Sequence, residues 1–171
     1  MLSATLVEPA CDSAWVQEAV RLYQEPLTLY AVRLGGSIEL GHDAVQETFV
    51  RLCESEQSAV AGHLKEWLFS VCRSRVLDLK RKEGRMIALA EPDRATHSST
   101  EPSEAAERRE TKSLMLAQLD KLPPNQQEVI RLKFQHGMSY KEISAITGLS
   151  VSNVGFLMHT GIAALRQRLA R

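Results

Sequence analysis

The side chains that could ligate a metal ion or attack a substrate are scattered along this sequence. The cysteines are odd in number and lie far apart, at Cys11, Cys53 and Cys72, without the paired spacing of a zinc site. The histidines also lack metal-ligand spacing on one helix face; they are His42, His63, His97, His136 and His159. The carboxylates have no histidine or cysteine at useful spacing, and there is no glycine-rich phosphate loop or GxSxG motif. We therefore expect free thiols, no metal site, no cofactor and no catalytic residue.

Basic side chains, by contrast, are concentrated in one short run, LKEWLFSVCRSRVLDLKRKEGR, over residues 64–85. The run begins with apolar residues and ends in a cluster of cations, namely Arg73, Arg75, Lys80, Arg81, Lys82 and Arg85. Such a cluster can neutralise the phosphates of a nucleic acid. A solvated helix face has the same composition, so this run alone is equally compatible with DNA binding and with an ordinary surface.

The formal net charge is zero, but the charges are segregated along the chain. Residues 1–64 carry a net charge of −6 and residues 65–85 one of +4. Residues 86–120 carry −3 and residues 121–171 carry +5. Two basic blocks therefore alternate with two acidic ones, which is typical of a protein with two DNA-facing surfaces and other partners elsewhere. Chance segregation of solvated charge is the alternative explanation.

The apolar spacing of the first half predicts three helices that would form a compact unit. Apolar residues at three- and four-residue steps indicate a helix over about Ala14–Leu34, ended by the glycine pair that follows it. Pro26 should bend or interrupt this helix, because proline removes one backbone hydrogen bond and crowds the preceding turn. The other two helices are predicted over about Asp43–Glu54 and His63–Lys82.

A change in composition predicts a boundary between two domains. Residues 84–103 contain two prolines, several serines and threonines, and little periodicity, which is typical of a linker. We therefore predict an all-α fold in which two small helical domains are joined by a flexible linker. The predicted ranges are 12–84 for the N-terminal domain, 85–103 for the linker and 104–171 for the C-terminal domain.

The second domain is predicted to begin with two helices. The first covers about Glu104–Leu122, with acidic residues at its start, where the helix dipole favours them. Two prolines follow it, and the second helix begins at about Asn125 and is closed by Gly137.

The end of the sequence has the pattern of a helix-turn-helix. Ser139 and Glu142 have the spacing of a capping box, so a short helix should begin at Ser139. That helix should stop at Gly148, and Ser150 should cap a last helix that reaches about Leu169. A short helix, a glycine turn and a second capped helix form the helix-turn-helix arrangement, although an ordinary helical hairpin would share it.

The last helix should have a buried face and an outward face. At about 100° per residue, the buried face collects Val154, Leu157, Met158, Gly161, Ile162, Leu165 and Leu169. The outward face collects Ser152, Gly155, Phe156, His159, Thr160, Ala163 and Arg166, with Asn153 at its edge. This outward face is poor in cations, and Phe156 could either contact thymine methyl groups or pack against the preceding helix.

Three motifs, in this order, resemble the extracytoplasmic-function (ECF) class of bacterial RNA polymerase sigma factors. Residues 43–52, DAVQETFVRL, resemble the helix that binds the coiled-coil clamp of the largest polymerase subunit. Residues 67–81 resemble the segment that recognises and melts the minus-ten promoter element. The LPP triplet at 122–124, the GMSYKEIS run at 137–144 and the final helix resemble the domain that binds the minus-thirty-five element.

The resemblance implies three sets of site residues. The implied polymerase-binding residues are Asp43, Gln46, Glu47, Phe49 and Arg51. The implied residues for minus-ten binding and melting are Arg73, Ser74, Arg75, Asp78, Lys80, Arg81 and Lys82. The implied minus-thirty-five residues are Lys141, Ser150, Ser152, Asn153, Gly155, Phe156, His159, Thr160 and Arg166.

The sequence also departs from the family pattern. Ser74 stands where the family usually has asparagine, which affects the hydrogen bonding of a flipped promoter base. Gly155, Phe156, Leu157 and Thr160 stand where many members carry lysine or arginine. Base preference therefore does not transfer, and phosphate contacts are expected instead from Arg131, Lys133, Lys141 and Arg166.

The function that the resemblance implies is promoter recognition, DNA opening and transcription initiation without catalysis. The implied partners are core RNA polymerase and promoter DNA, both double-stranded and melted. Members of the family can also be bound by an anti-sigma factor, which is a further possible partner. No stretch approaches the roughly 18 apolar residues that a membrane span needs, so a cytoplasmic protein without membrane insertion is expected. The alternatives are a stand-alone helix-turn-helix regulator with an N-terminal sensor or dimerisation module, and an enzyme.

Overall fold

The computed structural model describes residues 13–87 and 115–170, and every regular element within these ranges is a helix. The contacts divide the chain into two compact units, one within Met1–Gly84 and the other within Arg85–Arg171. The structure therefore has the predicted all-α class. The predicted linker from residue 88 onward and the first part of the predicted helix over Glu104–Leu122 lie outside the described residues.

Within the described residues, the N-terminal unit contains four α-helices and one short 3₁₀ helix. They are α1 (Ser13–Gly35), α2 (Ile38–Glu54), α3 (Gln57–Val60), the 3₁₀ helix Ala61–His63 and α4 (Leu64–Ile87). Residues 57–62 were not predicted as helical, since this segment is too short to show an apolar period.

Of the two outcomes expected at Pro26, a bend or an interruption, the interruption does not occur, because α1 continues through the proline. The residues that follow the proline explain why the helix persists. Leu27, Tyr30 and Ala31 are each at most 2% exposed, so tertiary packing holds the helix in place directly after the proline. A single lost backbone hydrogen bond is outweighed by burial of several apolar side chains.

Helix α2 begins at Ile38, more than one turn before the predicted start at Asp43. Ser37 lies in an extended conformation, and its hydroxyl oxygen accepts a hydrogen bond from the amide of Leu40 at 3.1 Å. This side-chain cap satisfies one amide of the first turn, which allows the helix to start there.

The core of the N-terminal unit is formed where α1 meets α2 and α4. The rings of Tyr30 and Phe69 pack with their centroids 5.2 Å apart, beside the fully buried Leu68. Helices α1 and α2 approach so closely that a Cβ atom at Gly41 would lie 2.5 Å from a methyl carbon of Val32. Glycine is therefore required at this contact for steric reasons.

From residue 115 onward, where the structure describes it, the C-terminal unit contains helical residues 115–119 and three further helices, α5 (Pro124–Phe134), α6 (Tyr140–Thr147) and α7 (Val151–Leu169). Pro124 occupies the first turn of α5, where its missing amide hydrogen has no helical acceptor to lose. Gly137 has a φ of 65° in the turn after α5, as the predicted glycine stop requires. The fully buried core includes Val129, Leu132 and Ile143.

No single helix among the described residues is long and apolar enough to cross a membrane. Helices α6 and α7 meet the length and composition criteria only as a pair, and they are bent by 105° at the break between them.

Candidate functional site

Helix α2 buries one face in the N-terminal unit. Ala44, Val45, Thr48 and Leu52 are buried, and the Thr48 hydroxyl donates to the carbonyl of Ala44 at 2.7 Å. Phe49, which the first motif assigns to polymerase binding, is half-buried.

The opposite face of α2 presents the residues that the first motif assigns to polymerase binding. Asp43, Gln46 and Arg51 are exposed, and Glu47 is half-buried. Val50, which is 49% exposed, was not among the predicted site residues. Its spacing of seven residues from Asp43 was the signal that could have found it, because such residues share one helix face. The face therefore combines polar groups with one exposed apolar side chain.

Glu47 of this face forms an ion pair with Arg75 of α4 and lies 3.8 Å from Arg51. The Arg75 side chain is only 20% exposed, and its other terminal nitrogen lies 4.0 Å from Asp78. Asp78 in turn pairs with Arg81. The structure thus joins residues that the sequence motifs assign to two different surfaces.

The middle and the C-terminal part of α4 carry the remaining residues of the predicted minus-ten set. Ser74, Arg81 and Lys82 are exposed, whereas Arg73 is half-buried. Lys80 is exposed too, and its ammonium group donates to the carbonyl of Leu34, in the last turn of α1, at 3.0 Å. A cation is favourable at that position because the C-terminal end of a helix carries partial negative charge.

Cys72 lies on the inner side of α4 and is fully buried. Burial raises the pKa of its thiol to about 12, and a hydrogen bond with Thr48 opposes this only in part. The thiol therefore stays protonated near neutral pH and has no nucleophilic role.

Helices α6 and α7 form a helix-turn-helix, and all of its predicted capping interactions are present. The Ser139 hydroxyl oxygen accepts from the amide of Glu142 at 3.3 Å, and the Glu142 carboxylate accepts from the amide of Ser139 at 2.7 Å. Gly148 ends α6 with a φ of 74°, and Ser150 caps α7. The angle of 105° between the helices lies in the range of this motif.

Helix α7 leaves a strip of side chains exposed on the side predicted to face DNA. Phe156 is 64% exposed, so packing against the preceding helix, the alternative explanation for this residue, does not occur. The other residues of the implied minus-thirty-five set that are exposed on this helix are Ser152, Asn153, His159 and Arg166.

Two members of the predicted outward set are half-buried instead. The Thr160 hydroxyl accepts from the side-chain amide of Gln126 at 3.3 Å and donates to the carbonyl of Phe156 at 2.9 Å. Gly155 lies against the ring of Tyr140, so that a Cβ atom there would be 3.8 Å from the ring. The free part of the face is therefore narrower than the helical angles alone predict.

The opposite side of α7 agrees with the prediction except at its end. Val154, Met158 and Gly161 are buried, and Leu157, Ile162 and Leu165 are half-buried. Leu169 is 48% exposed, so its assignment to the core is wrong. It occupies the last residue of the helix, where fewer neighbouring side chains are available to cover it.

The four expected phosphate contacts differ in accessibility. Arg131 is 4% exposed and forms an ion pair with Asp120 at 2.5 Å, so the expectation that it contacts phosphate is wrong. Its guanidinium stabilises the interior of the C-terminal unit instead. Lys133 lies over the ring of Tyr140 at 5.6 Å, and Lys141 and Arg166 are exposed.

Among the residues that the structure describes, no group of three or more histidine, cysteine, aspartate or glutamate side chains could hold a metal ion.

Comparison with known proteins agrees with the two units of the fold. Residues 19–86 match the family model for sigma-70 region 2, and residues 112–165 match that for sigma-70 region 4. The sigma factor RpoE of Bartonella quintana, solved in complex with the anti-sigma factor NepR, has the same fold with a TM-score of 0.70 at 22% identity. That likeness covers 90% of this chain and 96% of RpoE.

Curated relatives of this chain are ECF sigma factors. SigE of Mycolicibacterium smegmatis is 32% identical over 167 residues, which cover 96% of this chain and 65% of SigE. EcfG of Rhodopseudomonas palustris is 31% identical over 129 residues, which cover 75% of this chain and 70% of EcfG. Both sigma-70 regions thus occur here in the order that the motifs predicted. The chain belongs to the ECF class of RNA polymerase sigma factors, the initiation factors that direct the polymerase to promoters.

Proposed function

We propose that this chain is a sigma factor without catalytic activity and that it binds its partners through three separate surfaces. The N-terminal unit, predicted over residues 12–84, binds core polymerase and melts the minus-ten element. The linker, which was predicted over 85–103 and follows the end of α4 at Ile87, sets the separation of the two promoter contacts. The C-terminal unit over 104–171 binds the minus-thirty-five element. The observation that carries this proposal is that α2, α4 and α7 each leave a distinct set of polar side chains exposed after packing.

The polymerase contact is the docking face of α2, which consists of Asp43, Gln46, Glu47 and Val50. Phe49 and Arg51 border it. Val50 offers apolar area that water would otherwise surround, and the polar groups beside it offer directional contacts with the clamp coiled coil. A small apolar centre with a polar rim is typical of an energetically productive interface.

Promoter opening is the task of the exposed residues in the middle and the C-terminal part of α4. Arg81 and Lys82 attract phosphates and Lys80 lies next to them, while Arg73 lies about two turns earlier on the helix. Ser74 is exposed and can hydrogen-bond a base that leaves the double helix, in the place where the family usually has asparagine. Capture of unstacked bases favours the melted state without covalent chemistry, so neither ATP nor a cofactor is needed.

Recognition of the upstream element is the task of α7. Its first turn presents Ser150, Ser152 and Asn153, and amide groups at a helix N-terminus bind phosphate well. Asn153 can donate to and accept from an adenine, and Phe156 can contact thymine methyl groups. Arg166 and Lys141 provide phosphate contacts at the edges. A cation-poor recognition helix of this kind favours A·T-containing elements over guanine-rich ones.

Two further assignments accompany this function. The chain acts in the cytoplasm, where the polymerase and the chromosome are found. An anti-sigma factor is a regulatory partner of this chain, by analogy with the RpoE structure, in which NepR is bound.

The proposed function is tested by adding the purified chain to core polymerase on a library of promoter fragments. We expect selective initiation that depends on both the chain and the core enzyme. A stand-alone helix-turn-helix regulator would bind specific DNA tightly without the core and would not make the core initiate. That outcome would overturn the proposal.

A further inference from the structure

Five charged side chains on α2 and α4 alternate in sign and form a continuous series of ion pairs, which we call the charge chain. It begins at the border of the docking face of α2, passes through that face and ends on the exposed part of α4. Its members, in spatial order, are Arg51, Glu47, Arg75, Asp78 and Arg81.

Arg75 is the least exposed member of the charge chain. Its side chain is 20% exposed, compared with 46% for Arg51 and 69% for Arg81. One terminal nitrogen of its guanidinium binds Glu47, and the other faces Asp78 at 4.0 Å. Its Nε atom is buried and has no hydrogen-bond partner among the residues that the structure describes. The orientation of this guanidinium therefore depends on the two carboxylates, and little of it is available to a DNA phosphate.

The ion pair restricts the side chain of Glu47 as well as that of Arg75. Glu47 lies on a helix surface, where a glutamate side chain can adopt many rotamers. Restricting that side chain to one rotamer costs conformational entropy. The ion pair with Arg75 limits those rotamers before any partner binds. A side chain that is already ordered loses less entropy on binding, which strengthens an interface without adding a contact.

We propose that Arg75 is a positioning residue of the polymerase-docking face, which orients the carboxylate of Glu47 for the core enzyme, and is not a contact of promoter DNA. This inference rests on the proposed function of α2. It assigns the DNA phosphates to Arg81 and Lys82 instead, both of which are exposed.

The primary test measures the affinity of the full chain for core polymerase after Arg75→Met, a substitution that removes the charge but retains an unbranched side chain with good helix propensity. We expect the affinity to fall about five- to tenfold, within the range of coupling between residues in contact. Arg75→Lys should recover part of the loss, because an ammonium group can pair with Glu47 through one hydrogen bond. Arg21→Met is the matched control, since it removes an exposed arginine–glutamate pair on α1 and should leave the affinity unchanged.

A double-mutant cycle separates a role through Glu47 from any other role. In a Glu47→Gln background, Arg75→Met should cause no further loss of core affinity. An equal loss in both backgrounds would overturn the proposal. It would also be overturned if Arg75→Met left core affinity intact but reduced the salt dependence of promoter-DNA binding, since Arg75 would then be a phosphate contact.

Two further variants keep the test decisive. Asp43→Ala, on the same face but outside the charge chain, should weaken core binding; if it does not, the docking face itself is wrong and both proposals fail. If Arg75→Met unfolds the unit, the proposal is tested instead with the double variant Glu47→Arg, Arg75→Glu, in which the two charges are exchanged. We expect the exchange to restore the urea midpoint but not core affinity, and recovery of wild-type affinity would assign the pair a purely structural role.

Discussion

The guanidinium of Arg75 binds the carboxylate of Glu47, although the sequence motifs place these two residues on different binding surfaces. The ion pair connects α4 to α2 over 28 positions of sequence. Breaking a partly buried pair from one side leaves the other charge with only its weaker partner, which is Arg51 for Glu47 and Asp78 for Arg75, so the two surfaces depend on each other for stability. Substitutions at Glu47 or Arg75 consequently need a folding control before they are interpreted as interface effects.

The docking face can be tested without disturbing this pair. We expect the combined substitution of Asp43, Gln46 and Val50 with alanine to weaken core polymerase binding by several kcal/mol, because a few residues dominate most interfaces. Helical content and the urea midpoint should stay close to wild type, since all three side chains are exposed. Calorimetric titration against core polymerase measures the effect, and wild-type affinity in the triple variant would refute the assignment of this face.

The exposed cations of α4 should contribute to the salt dependence of promoter binding. Replacing Arg81 and Lys82 with glutamine should reduce the slope of log K against log salt concentration by about 1 for each lost phosphate contact. Holoenzyme binding to a promoter fragment, measured across a salt series, gives this slope. Lys80 is left unchanged because it also caps α1 through Leu34. An unaltered slope would mean that these two side chains do not contact phosphate.

A substitution at Phe156 distinguishes a role in base recognition from a role in packing. Since its side chain is 64% exposed, Phe156→Ala should leave the melting temperature nearly unchanged. Binding to upstream elements should lose about 1–3 kcal/mol of discrimination at one base position. The measurement is binding of the holoenzyme to a set of single-base promoter variants. A large loss of stability with an unchanged sequence preference would contradict base contact by this residue.

The buried thiol of Cys72 predicts a pH dependence of stability. Burial holds its folded-state pKa at about 12, above its ordinary value of 9.0, so the protonated thiol is favoured by folding. This contribution is complete below pH 9 and is lost as the pH rises from there towards 12, because only the unfolded thiol ionises readily. Urea unfolding across this range should show the decline, and Cys72→Ala should remove that part of it.

The same burial predicts selective modification of the cysteines. At neutral pH a thiol reagent should label the exposed Cys53 and leave Cys72 unlabelled in the folded protein, as mapped by mass spectrometry of peptides. Labelling of both at equal rates would show that the unit around α4 opens readily.

Local signals in the sequence were sufficient to predict the helix-turn-helix. The capping box at Ser139, the glycine at 148 and the cap at Ser150 act within a few residues of one another, so their effect on the backbone does not depend on distant parts of the chain. The apolar period likewise identified the buried face of α7, except at its last residue, Leu169. This face follows from helix geometry once the helix exists.

Tertiary structure determined features of the protein that the apolar period of the sequence did not predict. Packing around Leu27 and Tyr30 keeps α1 helical through Pro26, and an ion pair with Asp120 draws Arg131 inside. Residue type alone would place an arginine at the surface, because the cost of burying its charge is offset only by a partner that the local sequence does not identify. The pairing of Glu47 with Arg75 has the same origin: helical spacing determines which face a charge occupies, but only the packing of α2 against α4 determines which charge it meets.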